Sequence, residues 1–207
     1  MVHRLALMLV LLAVSSTAVH AQLFRAFLSI NGSDSNPCTL PAPCRLMPAA
    51  LNAVASGGEI WMLDSANFNT TTVNITKSVS IVSVPGVQGS LVAPALSPAV
   101  QVSTAGLVVA LRNVFVVPNA TLNTSGIGEA GFILSAASRV TIDRCTFAGL
   151  RDDAIRATAG QLSIVDSMIR DSGFDSAGRG LRVDSTANVQ VDITGSRFVN
   201  NFVSALR

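Results

Sequence analysis

The sequence predicts an all-β solenoid, a parallel β-helix with one short helix near its N-terminal end. Three observations carry this. Short stretches of alternating apolar residues recur from Glu59 onward, separated by Gly, Ser, Asn and Asp. Three of them superpose residue for residue: Val140-Thr141-Ile142-Asp143-Arg144-Cys145-Thr146-Phe147, Leu162-Ser163-Ile164-Val165-Asp166-Ser167-Met168-Ile169 and Val191-Asp192-Ile193-Thr194-Gly195-Ser196-Arg197-Phe198. The steps between them, 22 residues from Ile142 to Ile164 and 29 on to Ile193, hold no helical pattern, so each repeat is one coil that buries its apolar face by stacking on its neighbours. A leucine-rich repeat has the same period, but its Leu-x-x-Leu-x-Leu and Asn signature is absent. An antiparallel β-sandwich shares the short, evenly spaced strands and is the competing architecture.

Composition narrows the function classes. The chain has 207 residues, 49% hydrophobic and 13% charged, against roughly 25% charged in an average soluble protein. Neither disorder nor charge-driven nucleic-acid binding fits, and the formal net charge of +2 points the same way. Aromatics are 5% with no Tyr and one Trp, too few for a surface built on aromatic platforms.

Taken in order, the elements begin with residues 1–21. His3 and Arg4 precede an apolar run from Leu5 to Val14, then Ser15, Ser16 and Thr17 lead to Val19-His20-Ala21, which is the order of a cleavable secretory signal. The run is too short to span some 30 Å of hydrocarbon, so no membrane association is expected after cleavage. Cleavage removes both histidines and one arginine, so the 14 basic side chains become 13 against 12 acidic ones. A mature chain without imidazole has no Ser-His-Asp triad and no His-ligated zinc, and neither a metal nor a cofactor is expected.

Residues 22–58 form the N-terminal module. Asn36-Pro37-Cys38 to Pro43-Cys44 is a Pro-rich loop that holds two thiols close together, and an oxidising compartment favours a Cys38–Cys44 disulfide, worth roughly 2 kcal/mol by loop entropy. Cys145 sits in a strand-like stretch and reads as a buried free thiol. Leu46 to Val54 places Pro48 at the start, apolar residues at Leu46, Ala50, Leu51 and Val54, and Gly57-Gly58 at the end, the pattern of one short amphipathic helix.

Residues 59–207 carry the coils. Strands are expected at Ile60–Leu63, Val73–Ile75, Val79–Val82, Leu107–Leu111 and from Ile133, with Leu111 to Val116 in the frame of the three superposed segments. A second strand is expected to precede each: Ala154-Ile155-Arg156, Gly180-Leu181-Arg182 and Ala205-Leu206-Arg207. The last repeats the first strand of a further coil. The expectation is therefore a β-helix incomplete at its C-terminus, continued in a longer chain or closed by end-to-end self-association.

The Cys38–Cys44 loop, the helix, Gly57-Gly58-Glu59-Ile60 and the run Val73-Asn74-Ile75-Thr76-Lys77-Ser78-Val79-Ser80-Ile81 together resemble the start of secreted right-handed parallel β-helix proteins of the pectin-lyase-like superfamily. The resemblance extends from about Arg25 to the C-terminus. It implies that the helix caps the first coil and that the step through Lys77 leads into the second. It implies a fold and leaves the reaction open, because function on a shared scaffold lives in the site.

Hydrolysis on this scaffold needs two or three carboxylates on one exposed face. The candidates are Asp152 and Asp153 in Arg151-Asp152-Asp153-Ala154-Ile155-Arg156, with Arg156 beside them. The pair resembles the Asp-Asp element of polygalacturonases, but the Asn-Thr-Asp, Gly-His-Gly and Arg-Ile-Lys elements are missing. A lyase would want Asp ligands and a basic residue, and Asp143, Asp166 and Asp192 are placed at one face or its edge near Arg144, Arg156, Arg170 and Arg182; the bland alternative is a solvated set of turn aspartates and strand-edge arginines. Sequons at Asn31, Asn69, Asn74, Asn119 and Asn123 read as ordinary turn and strand residues. The expected protein is secreted or periplasmic and non-catalytic, binding a polysaccharide or other surface polymer or serving as a rod; the rival is a polysaccharide lyase or glycoside hydrolase centred on Asp152 and Asp153.

Overall fold

The computed structural model describes residues 22–119, 130–173, 178–184 and 188–201. Strand β1 (Leu23–Leu28) is followed by helix α1 (Met47–Ala53), which passes directly into β2 (Val54–Met62). The chain then winds in threes: β3 (Val73–Ile75), β4 (Val79–Ser83), β5 (Ser90–Ala93); β6 (Val100–Val102), β7 (Val108–Arg112), β8 (Phe115–Pro118); β9 (Phe132–Leu134), β10 (Arg139–Asp143), β11 (Thr146–Ala148); β12 (Ile155–Ala157), β13 (Gly160–Val165), β14 (Met168–Arg170); β15 (Leu181–Val183), β16 (Val189–Thr194), β17 (Arg197–Val199). Corresponding strands of successive turns pair in parallel. The first sheet runs β1-β2-β4-β7-β10-β13-β16, the second β5-β8-β11-β14-β17 and the third β3-β6-β9-β12-β15. This is a parallel β-helix; hairpins of a sandwich would have paired antiparallel.

Alternation within each strand decides what faces inward. In the first sheet Ile60, Ile81, Leu111, Ile142, Ile164 and Ile193 are direct partners, one above the other. Leu91, Val116, Phe147, Ile169 and Phe198 stack in the second sheet, and Val73, Val100, Phe132, Ile155 and Leu181 in the third. The three rows meet in one continuous core, from which Ile193, 38% exposed in the last described coil, stands out.

From β7 on, two residues suffice to turn the chain from the first sheet to the second, and the first of them has left-handed backbone: Asn113 (φ 54°), Arg144 (51°), Asp166 (46°) and Gly195 (62°). The second is small or apolar and lies within the coil: Val114, Cys145, Ser167, Ser196. The turn itself is made by the left-handed residue before it. Hydroxyls then tie the corners together, since Ser167 Oγ accepts from the Cys145 N–H at 3.0 Å and Ser196 Oγ from the Ser167 N–H at 3.1 Å. At Gly195 a Cβ would lie 2.0 Å from an Asp166 carboxylate oxygen of the preceding coil, so a larger residue there would have to displace that side chain.

The coils begin earlier than residue 59. Strand β1 belongs to the first sheet and was not foreseen, because Phe24 is exposed and Phe27 half-buried where strict alternation would hide one and expose the other. Its outer edge is covered by the cysteine loop: the Phe27 N–H donates to Cys38 O (2.8 Å), and the Cys44 N–H to Phe27 O (2.9 Å). Cys38 and Cys44 are bridged, with Cα atoms 4.6 Å apart. Helix α1 buries Met47, Ala50 and Leu51 over β1, β2 and β3. Strands β5 and β6 also escaped the sequence pattern, and Asn69 is no surface sequon, being buried with its amide bonded to Thr71 O, Val92 O and the Val92 N–H. Residues 1–21 and Ala205-Leu206-Arg207 lie outside the described residues.

The third cysteine stays reduced and inert. Cys145 is buried with its thiol donating toward Leu111 O and Asp143 O at 3.4 Å, and desolvation pushes its pKa up to about 12. The native chain should release no colour with a thiol reagent such as DTNB, the unfolded chain one equivalent, and the unfolded, reduced chain three. Reduction of the Cys38–Cys44 bridge should lower stability by roughly 2 kcal/mol. A rapidly reacting native thiol would contradict both assignments.

Candidate functional site

The segment from Gly149 to Ala154 joins the second sheet to the third. Gly149 is left-handed (φ 72°), and the loop is bound to the next coil by the Gly173 N–H donating to Leu150 O at 2.8 Å and the Leu150 N–H to Ser172 Oγ at 3.3 Å. Held this way, Asp152 and Asp153 are withdrawn from water. Asp152 is buried and Asp153 is 0% exposed.

Strand β12 then points Ile155 and Ala157 into the core and Arg156 outward. Its guanidinium bridges both carboxylates: Nε donates to Asp153 Oδ2 at 2.7 Å and Nη2 to Asp152 Oδ2 at 3.0 Å. The next coil adds Arg182, the direct strand partner of Arg156. Arg182 Nε donates to Asp184 Oδ1 at 2.8 Å, and its Nη1 lies 3.9 Å from Asp153 Oδ2; Arg179 Nη1 lies 3.9 Å from Asp153 Oδ1. Asp153 Oδ1 has no hydrogen-bond partner among the described residues. Burial raises the Asp153 pKa above the ordinary carboxylate value, with the Arg156 hydrogen bond opposing it. The Asp184 bond raises the pKa of Arg182, which makes this arginine a poor base.

The remaining predicted aspartates lie away from this cluster, on the first sheet: Asp143 and Asp192 on its outward face and Asp166 at the corner that ends it, at different places along their strands. Asp143 ends β10, facing out, bonded to Arg144 at 3.0 Å and 3.9 Å from Arg112. Asp166 is the left-handed corner residue after β13, and Asp192 lies mid-strand in β16. Their register partners differ: Asp143 pairs with Arg112 and Val165, Asp192 with Ser163. Arg170 ends β14 and pairs with the adjacent Asp171. Among the described residues no three His, Cys, Asp or Glu side chains come together to hold a metal.

Chemically, the cluster presents two guanidinium groups and the Asp184 carboxylate paired with one of them, and withholds Asp152 and Asp153. Arg156 and Arg182 keep 25% and 33% of their side chains in water, whereas Asp153 keeps none. Glycoside hydrolysis needs both carboxyl groups at the sugar, roughly 5–9.5 Å apart. Here one arginine ties the two together beneath the surface.

Two solved structures resemble this fold. Pectate lyase Pel9A superposes with a TM-score of 0.48 and 14% identity over 87% of this chain and 64% of that one. A rhamnogalacturonan lyase superposes with a TM-score of 0.43 and 10% identity, over 83% and 67%. This chain thus spans less than two thirds of the length of the pectate lyase. No family model matches the chain, and no curated protein matches its sequence. The site residues that sequence reasoning missed are Asp184, which holds Arg182, and Arg179, whose approach to Asp153 depends on coil register and has no local signature.

Proposed function

We propose that this protein is an exported, non-catalytic β-helix that binds an acidic polysaccharide across the outward face of its third sheet, through Arg156 and Arg182. One observation carries the reading: the carboxylates that would have to act as acid and base, Asp152 and Asp153, are buried under Arg156, and the accessible groups are Arg156, Arg182 and the Asp184 carboxylate that orients Arg182. Guanidinium forks in adjacent strands, about 4.8 Å apart along the coil axis, match carboxylates repeated along a polymer. The Cys38–Cys44 bridge supports export to an oxidising space.

The second reading, a lyase or hydrolase centred on Asp152 and Asp153, draws support from the raised Asp153 pKa, since burial that favours the protonated carboxyl is how a general acid is held ready. Affinity electrophoresis through gels containing polygalacturonate, combined with assays for new reducing ends and for unsaturated products, decides between them. Retardation that disappears in the Arg156→Gln, Arg182→Gln double variant, with no product formed, is the expected result. Product formation by the parent that Asp152→Asn abolishes would establish the enzyme.

A further inference from the structure

A second groove lies on a different face. It follows the outward side of the first sheet, where strands β7, β10, β13 and β16 begin, and has a volume of about 550 Å³, continuous with a further 240 Å³ through the shared residues Arg139, Gln161 and Gln190. Its floor is set by register. Val108, Arg139, Gln161 and Gln190 are successive partners across four strands, so one side chain per coil faces the groove, about 4.8 Å from the next. Thr141, Ser163 and Asp192 form a parallel row two residues further along the same strands.

From this arrangement we infer that the first-sheet groove binds a neutral glycan chain lying along the coil axis. Four properties point to that chemistry. The groove is long in the direction perpendicular to the strands, as an extended polymer requires, and repeats its polar groups once per coil. Its charged side chains, Arg139 and Asp192, are one of each sign, so it carries no field that would select an acidic polymer. Amides and hydroxyls (Gln161, Gln190, Thr141, Ser163) both donate and accept, which suits sugar hydroxyls that do the same. Arg139 Nε donates to Gln161 Oε1 at 3.0 Å, fixing that amide before any ligand arrives, and Val108, 56% exposed, offers an apolar patch for the C–H face of a sugar ring.

This site shares no residue with the Arg156–Arg182 face, so the two stand or fall separately. The test is affinity electrophoresis of the chain in gels containing hydroxyethylcellulose or galactomannan, run beside polygalacturonate. The expected result is retardation by at least one neutral polymer, weakened about tenfold or more in the Gln161→Ala, Gln190→Ala double variant and unchanged in the Arg156→Gln, Arg182→Gln variant. Both glutamines are exposed, and unchanged circular dichroism and melting confirm that the variant folds. Ser163→Lys, which places a charged chain in the groove, should weaken neutral binding to a similar extent. The inference is overturned if the parent is not retarded by either neutral polymer, or if its retardation survives the glutamine and Ser163 changes.

Discussion

Ile164→Asp should fail to accumulate as a folded protein. Ile164 is 0% exposed, lies between Ile142 and Ile193 in the inward row of the first sheet, and has apolar neighbours in the rows of the other two sheets. A carboxylate there has neither water nor a donor. The loss of packing and the burial of an unpaired polar group together exceed the roughly 4–5 kcal/mol that marks an exceptional single substitution, against a total stability of about 5–15 kcal/mol. Ser163→Asp is the matched control: the same charge, one residue away, on the outward side of the same strand. Soluble yield and melting temperature of the pair report on facing alone. An Ile164→Asp variant that melts like the parent would falsify the coil assignment.

Arg156→Ala should be the most damaging change on the surface of the third sheet. It leaves Asp153 buried without its 2.7 Å bond, a loss of roughly 3 kcal/mol, at the low end for a broken buried pair because Arg156 keeps a quarter of its side chain in water. The cost depends on pH. Because burial already raises the Asp153 pKa, the folded chain holds this proton more tightly than the unfolded chain does; the stability that follows is complete below the ordinary carboxylate value and is lost as the pH rises through the raised one. Removing Arg156 raises it further. The variant should therefore approach the parent near pH 4 and fall behind it toward neutrality, whereas Arg156→Ala combined with Asp153→Asn should recover most of the loss at neutral pH. Urea unfolding of the parent, both single variants and the double variant at the two pH values measures this directly. A loss that is the same at both would mean that Arg156 acts through packing and not through Asp153.

Much of this architecture is legible in the sequence because the corner from first to second sheet never changes length after β7. That constancy keeps Val140, Leu162 and Val191 in phase, so Ile142, Ile164 and Ile193 could be placed in one row. Where the connection lengthens, between β4 and β5, the pattern dissolves and β5 and β6 went unread. The same frame places the aspartates. Asp143 and Asp192, at the fourth and second places of their segments, both face outward by alternation, and Asp166, at the fifth, is the corner beside that face, so the three share a face or its edge without converging. Asp152, Asp153 and Arg156 were found because they are neighbours in sequence. Their burial was not, since it depends on Leu150 and Gly173 bonding across coils and on Arg179 and Arg182 arriving from the next one.

The left-handed corner also divides the molecule into parts with different freedom to change. Partners in the inward row of the first sheet are separated by 30 residues from Ile81 to Leu111, 31 to Ile142, 22 to Ile164 and 29 to Ile193, yet each stacks squarely on the last. The difference is taken up mostly between the second and third sheets, where the connections run to 13 residues after β8, 6 after β11 and 10 after β14. Lengthening such a connection costs little, because closure entropy grows only with the logarithm of length. One edge of the solenoid thus keeps time for the stack while the other is free to acquire, enlarge or discard surface segments without displacing a single rung, and the edge with that freedom is the one beside Arg156 and Arg182.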